Sequence, residues 1–164
     1  MNPYVAIVGK SNTGKTTVII NIIKILKKRG YKVGTIKHHN HKQHFDSKGK
    51  DTYRHFIAGA DSVIISSPNS YGIFKKVDEE KKLDDLILES YDVDILIVEG
   101  YKETSLNKIE IVRKERSDHM ICKEDEILAL ITDTSIEIQK PVFNLNDYEG
   151  IANFVEKKII NKGK

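Results

Sequence analysis

The chain has 164 residues, of which 39% are apolar and 31% charged, with a net charge of +3. That length supports a buried core, the composition excludes a disordered chain, and so small a charge does not imply nucleic acid. Cys122 is the only cysteine, which excludes an internal disulfide and a Cys-x-x-Cys metal clamp. No run approaches the roughly 18 unbroken apolar residues of a membrane span, and the opening "PYVAIVG" lacks the pattern of a leader. The expectations are no membrane, no nucleic-acid partner and a cytoplasmic location.

In chain order, Pro3 to Val8 reads as a buried strand ending at Gly9. Val18, Ile19, Ile22, Ile23, Ile25 and Leu26 spread over one broad face of a helix from Lys15 to Arg29, closed by Gly30. "YKVGTIKH" is a second strand, and Asp51 is placed as N-cap of the helix "TYRHFIAGA", which Gly59 ends. "DSVIISS" and "YGIFKKV" flank the turn "PNS" as a hairpin, and residues 79 to 90 form a polar-faced helix. "DVDILIVEG", "KIEIVRK", "ILALIT" and "PVFNL" read as strands, followed by a helix capped by Asn146 with Glu149 completing a capping box. Strands interleaved with helices predict a single α/β domain over 1–164, a three-layer sandwich, and G-x-x-x-x-G-K-[ST] at Gly9 to Thr16 makes it a P-loop NTPase sandwich. Its central sheet is mostly parallel and made mixed by the hairpin. Ligands of such folds sit at the carboxyl ends of the strands.

Gly9-Lys10-Ser11-Asn12-Thr13-Gly14-Lys15-Thr16 satisfies G-x-x-x-x-G-K-[ST] in full, between a predicted strand and a predicted helix. The glycines let the chain wrap so that successive amide N–H groups face one concavity. The helix beginning near Lys15 adds its positive end. Lys15 is placed on the β- and γ-phosphates and the Thr16 hydroxyl on Mg²⁺, with Thr17 included in the nucleotide-binding stretch. Lys10 has two readings: reaching across a dimer to the partner's nucleotide, as in one P-loop class, or a solvated lysine.

The apolar run from Asp94 ends in Glu99-Gly100. Glu99 lies at the sheet edge that carries the P-loop and is the candidate acid for Mg²⁺, against a plain surface carboxylate. Asp94 starts the strand. "NKIE" at 107–110 is not the guanine motif N-K-x-D, because it precedes a strand and ends in Glu. Asp133, at the end of "ALITD", either accepts the paired N–H groups of guanine or serves as a turn residue.

Residues 38 to 44 hold four of the six histidines. His38, His39, His41 and His44 have three readings: zinc or nickel ligands, a solvated loop, or a segment sensing a γ-phosphate with Asp46 and Gly49-Lys50-Asp51-Thr52.

"GKSNTGKTT", "IKHHNH", "FDSKGKDT", "AGAD", "DILIVEGYK" and "KIEIVR" follow one another in an order and spacing that resembles the MobB family, the molybdopterin-guanine dinucleotide biosynthesis adaptor proteins. The resemblance runs from Tyr4 to about Val155. It implies a GTP-binding homodimer with weak hydrolysis that assists MobA, the guanylyltransferase joining GMP to molybdopterin. Molybdopterin itself is a possible further ligand. Lys37, His38, His41, Asp46, Gly49, Lys50 and Asp51 fall on the family's patterned loop, and Glu99 and Lys102 on its V-E-G-[YF]-K segment. His39 and His44 match no patterned position. Asn40 stands where a histidine is common, and Lys10 where an aromatic or small residue is common. On this reading Lys15, Asp46 and Glu99 act at the phosphates, and Thr16, Glu99 and Asp46 organise Mg²⁺. The rivals are a metallochaperone GTPase using the 38–44 cluster and a small-molecule kinase.

Overall fold

The computed structural model describes residues 2–39, 49–90, 92–103 and 107–161. They gather into two compact units, one formed by residues 1–38 with 84–164 and the other by residues 39–83.

The larger unit is built on six strands: β1 (Tyr4–Val8), β2 (Val33–Lys37), β5 (Ile95–Glu99), β6 (Lys108–Val112), β7 (Ile127–Thr132) and β8 (Val142–Phe143). Their order is β2-β5-β1-β6-β7-β8 and every pairing is parallel. Such a sheet is covered on both faces, which is why its strands read as unbroken apolar runs. Side chains alternate across it. Val5, Ile7, Ile95, Ile97, Ile109, Ile111, Ala129 and Ile131 share a core with α1 (Lys15–Lys28) and α4 (Tyr148–Val155). Helix α1 contributes Val18, Ile19, Ile22 and Leu26, and α4 contributes Ile151 and Val155. A smaller cluster of Val112, Ile127 and Leu130 is packed by Met120, Cys122, Ile136 and Ile138.

Helix α1 ends as its sequence predicts, with Gly30 at φ +90° and the Arg29 N–H on the carbonyls of Ile25 and Leu26. Arg29 then reaches α4. Its guanidinium donates to Glu149, Asn153 and Glu156, and Glu156 also accepts from the Tyr31 hydroxyl at 2.7 Å. The cap of α4 differs from expectation: Asp147, not Asn146, accepts the Gly150 N–H at 3.0 Å. A side chain at 150 would collide with that carboxylate, so the glycine makes room for the cap. After Val155 the helix widens into a π-helical turn, Glu156–Ile160, that buries Ile159 and Ile160.

Two charged side chains lie inside β6. Glu110 is 1% exposed and accepts the backbone N–H groups of Ile121 (2.6 Å) and Cys122 (3.0 Å). Lys108 is 2% exposed and donates to the Lys102 carbonyl (2.8 Å) and Glu126 (3.3 Å). Both are satisfied, as buried charges must be, and each ties a connecting loop to the sheet. Asp94 opens β5 by pairing with Lys32, its N–H on that carbonyl and its carboxylate accepting the Lys32 N–H at 2.6 Å.

The smaller unit holds α2 (Asp51–Ile57) and the hairpin of β3 (Ser62–Ser67) and β4 (Ser70–Lys75). The hairpin is antiparallel around Pro68 and Asn69, as "PNS" predicts, but it forms a sheet of its own. The α/β class with a parallel central sheet stands, whereas the mixed character expected of that sheet belongs to this separate pair. Asp51 is the first helical residue rather than the cap, which is Lys50. It pairs with Arg54 one turn on, at 3.6 Å. Helix α3 (Leu83–Glu89) is shorter than the expected 79–90.

Candidate functional site

The loop Gly9–Gly14 joins the end of β1 to the start of α1. Three of its residues have positive φ, Gly9 (+146°), Asn12 (+61°) and Gly14 (+93°), and these turns wrap the chain back on itself. Gly9 is also fixed by space: a Cβ there would lie 2.5 Å from the Ile111 carbonyl oxygen of β6. Thr13 is buried and its hydroxyl donates to the Lys10 carbonyl at 3.0 Å, closing the loop from inside. The Lys15 ammonium bridges the same loop, donating to the Gly9 (3.0 Å) and Lys10 (2.8 Å) carbonyls. An ammonium has three donors, so this posture holds the cation over the loop with one donor in hand for an anion. Partial burial lowers the Lys15 pKa, Glu99 opposes that shift and Lys37 adds to it. Ser11, Asn12, Thr16 and Thr17 are exposed at the rim.

β5 delivers the acid. The Thr16 hydroxyl lies 3.3 Å from each carboxylate oxygen of Glu99, and the Lys37 ammonium at the end of β2 lies 3.3 Å from Oε1. The sheet order explains the meeting: β5 sits between β1 and β2, so all three strands deliver their carboxyl ends to one edge. Beyond Glu99 the backbone turns through Gly100 (φ +100°) and Tyr101 (φ +56°). A non-glycine residue held at positive φ is strained and marks a constrained turn. The His38 and Tyr101 rings stack there at 4.4 Å, and a Cβ on residue 100 would press on His38 at 3.3 Å. A hydroxyl and one carboxylate at a phosphate loop suit Mg²⁺, which takes few protein oxygens and keeps waters and phosphate oxygens for the rest. Among the described residues no three His, Cys, Asp or Glu side chains converge as a metal site.

The other sequence candidates fall in several places. Asp133 stands just past β7, where its Oδ1 accepts the Lys114 N–H at 2.7 Å, so the turn role is present and fixes the carboxylate. His41 and Asp46, with His44 and Asn40, lie outside the described residues. Gly49, Lys50 and Asp51 belong to the smaller unit, Gly49 at φ +95° and the other two at the start of α2. Lys10 is not simply solvated. Its ammonium lies 3.1 Å from Nε2 of His119, whose Nδ1 lies 2.8 Å from Asp118. Sequence reading passed over His119, since its partner is more than a hundred residues away and no local spacing marks it.

The family model for MobB, molybdopterin guanine dinucleotide synthesis protein B, matches residues 4–133. The molybdopterin-guanine dinucleotide biosynthesis adapter protein of Escherichia coli K12 is 32% identical over 162 residues, covering 94% of this chain and 92% of the relative. The corresponding protein of Haemophilus influenzae is 31% identical over 157 residues, covering 94% and 88%. The crystal structure of Bacillus subtilis MobB aligns with a TM-score of 0.76 at 27% identity, over 99% of both chains. That of a molybdopterin-guanine biosynthesis protein B aligns with a TM-score of 0.72 at 30% identity, over 94% of this chain and 98% of the other. With the family model matching residues 4–133 and these relatives along nearly all its length, the chain belongs to the MobB family.

Proposed function

We propose that this protein is a GTP-binding adaptor of molybdopterin guanine dinucleotide biosynthesis, working as a homodimer beside a MobA-type guanylyltransferase. It acts as one nucleotide-binding domain in which residues 39–83 are an insertion. The observation that carries the reading is the Thr16 hydroxyl facing both oxygens of Glu99 at 3.3 Å, beside a loop that Lys15 already spans. The loop amides and Lys15 hold the triphosphate, and Thr16 and Glu99 would hold Mg²⁺. The bound Mg²⁺ neutralises phosphate charge. Asp133, its carboxylate oriented by the Lys114 amide, accepts the paired N–H groups of guanine and gives the preference for GTP. Phosphoryl transfer asks mainly for positioning and charge, and hydrolysis by the isolated protein is slow. The relatives named as adapter proteins support assistance to a synthesis rather than its chemistry.

Titration calorimetry with GTP and Mg²⁺ on the Lys15→Ala variant tests this. Binding is expected to vanish from the measurable range, and retention of near-normal affinity overturns the proposal. Adding the wild-type protein to MobA, molybdopterin and GTP is expected to raise the dinucleotide yield above that of MobA alone.

A further inference from the structure

We infer that His119 is a positioning residue for the phosphate site, holding the Lys10 ammonium beside the loop through its Nε2 as long as the imidazole is neutral. The inference rests on the nucleotide reading above and adds to it a residue from the turn that follows β6.

Lys10 immediately follows the first glycine of the phosphate loop, and its carbonyl is one of the two that Lys15 grips. Its ammonium is a donor only. At 3.1 Å from Nε2 of His119, it requires that nitrogen to be the acceptor. The proton of the neutral ring then resides on Nδ1, which lies 2.8 Å from Oδ1 of Asp118. The carboxylate thus selects the tautomer that receives the lysine, as a second partner does for a histidine whose other nitrogen is in use. The turn itself is braced: the Ser117 hydroxyl donates to the His119 carbonyl at 2.8 Å, and the Arg116 and Ser117 N–H groups both reach the Arg113 carbonyl. The charged groups that face the ring are Lys10, from the loop after β1, and Asp118 on its own turn.

A lysine has much rotamer freedom to lose when it meets an anion. Held by His119, it meets a polyphosphate with part of that entropy already lost, which is the benefit of preorganisation. A second proton on the ring removes the acceptor and sets two cations side by side, with Asp118 keeping the imidazolium. Lys10 is then released to solvent. The row is exposed, with side-chain exposure of 67% for His119 and 95% for Asp118, so the effect is small.

Two measurements test this. In the nucleotide-free protein at about pH 8, long-range proton–nitrogen NMR is expected to find the His119 ring protonated on Nδ1 and bare on Nε2, with resonances that shift in Lys10→Met. The second readout is the ratio of GTP dissociation constants, Lys10→Met over Lys10, in three backgrounds. With His119 present the ratio is expected to be about threefold to fivefold at pH 8. In His119→Ala it is expected to be about one. In His119→Gln, whose amide oxygen can accept from Lys10, it is expected to stay above one. A ratio identical in the wild-type and His119→Ala backgrounds, or a ring protonated on Nε2, overturns the inference and leaves GTP binding standing. A wild-type protein that binds no GTP, whatever its ring tautomer, overturns the function proposed above and this inference with it.

Discussion

At the scale of single residues the site turns on Glu99, which answers to three groups at once. It accepts the Thr16 hydroxyl, pairs with Lys37, and raises the pKa of Lys15 against the lowering effect of burial. Glu99→Gln keeps the shape and removes the charge. GTP binding with the metal chelated is expected to change little, whereas the gain on adding Mg²⁺ is expected to shrink about tenfold or more, read by calorimetry in the two buffers. An unchanged Mg²⁺ response would remove Glu99 from the metal's surroundings. The turns from Gly9 to Gly14 and the Lys15 bridge across them were legible because they are made by neighbours in sequence and lie within one loop. Glu99 was legible by position, as an acid ending an apolar strand. His119 and Glu110 were not, because what defines them is a partner on another segment. Lys10 meets His119 across the fold, and Glu110 meets amides 11 and 12 residues further on. Cys122 completes that neighbourhood without reactivity, since burial first and then Glu110 push its thiol up to about 11.

At the scale of elements, the junction of α1 with α4 shows how a short network sets a pH dependence. Glu156 accepts from Tyr31 and from Arg29, and those two hydrogen bonds, Tyr31 first, hold its carboxyl below the ordinary value. A depressed carboxyl contributes stability above its unfolded pKa, and loses it as pH falls through the folded one. Glu156→Gln is therefore expected to lower the thermal midpoint by about 2 °C at neutral pH, an estimate scaled to a partly exposed network. The gap should close below about pH 4. A gap that is constant with pH would mean that the amide loses packing rather than charge. The apolar stripe of α1 and the runs of β1 and β5 announced these elements directly. The α4 cap was misplaced by one residue because Asn146 and Asp147 are both good caps, and the choice depends on where β8 delivers the chain. The hairpin was legible in its turn and its two strands. Its separation from the central sheet was not, since alternation along a strand does not say which neighbour it pairs with.

At the scale of the whole molecule, the hairpin of the smaller unit carries an exposed apolar face. Cross-strand register pairs Ile64 with Ile73 and Ser66 with Tyr71, which places Ile64, Ile73 and Tyr71 on one face of the ribbon. They are 64%, 56% and 75% exposed, while on the opposite face Val63 is 6% and Ile65 49% exposed. An exposed apolar face on a two-stranded ribbon is a liability in a monomer and is ordinarily covered by a partner. In a homodimer the same patch on both copies covers itself, as two-fold interfaces do. Light scattering on the eluting protein is expected to give the mass of two chains. The double substitution Ile64→Ser with Ile73→Ser is expected to reduce it to one chain while circular dichroism and GTP affinity stay close to wild type, since the phosphate loop belongs to the other unit. A wild-type protein that elutes as one chain at tens of micromolar, or a double variant that stays paired, would assign the face to something other than a second copy. Loss of GTP affinity together with the dimer would show instead that the nucleotide site is completed across the two-fold axis.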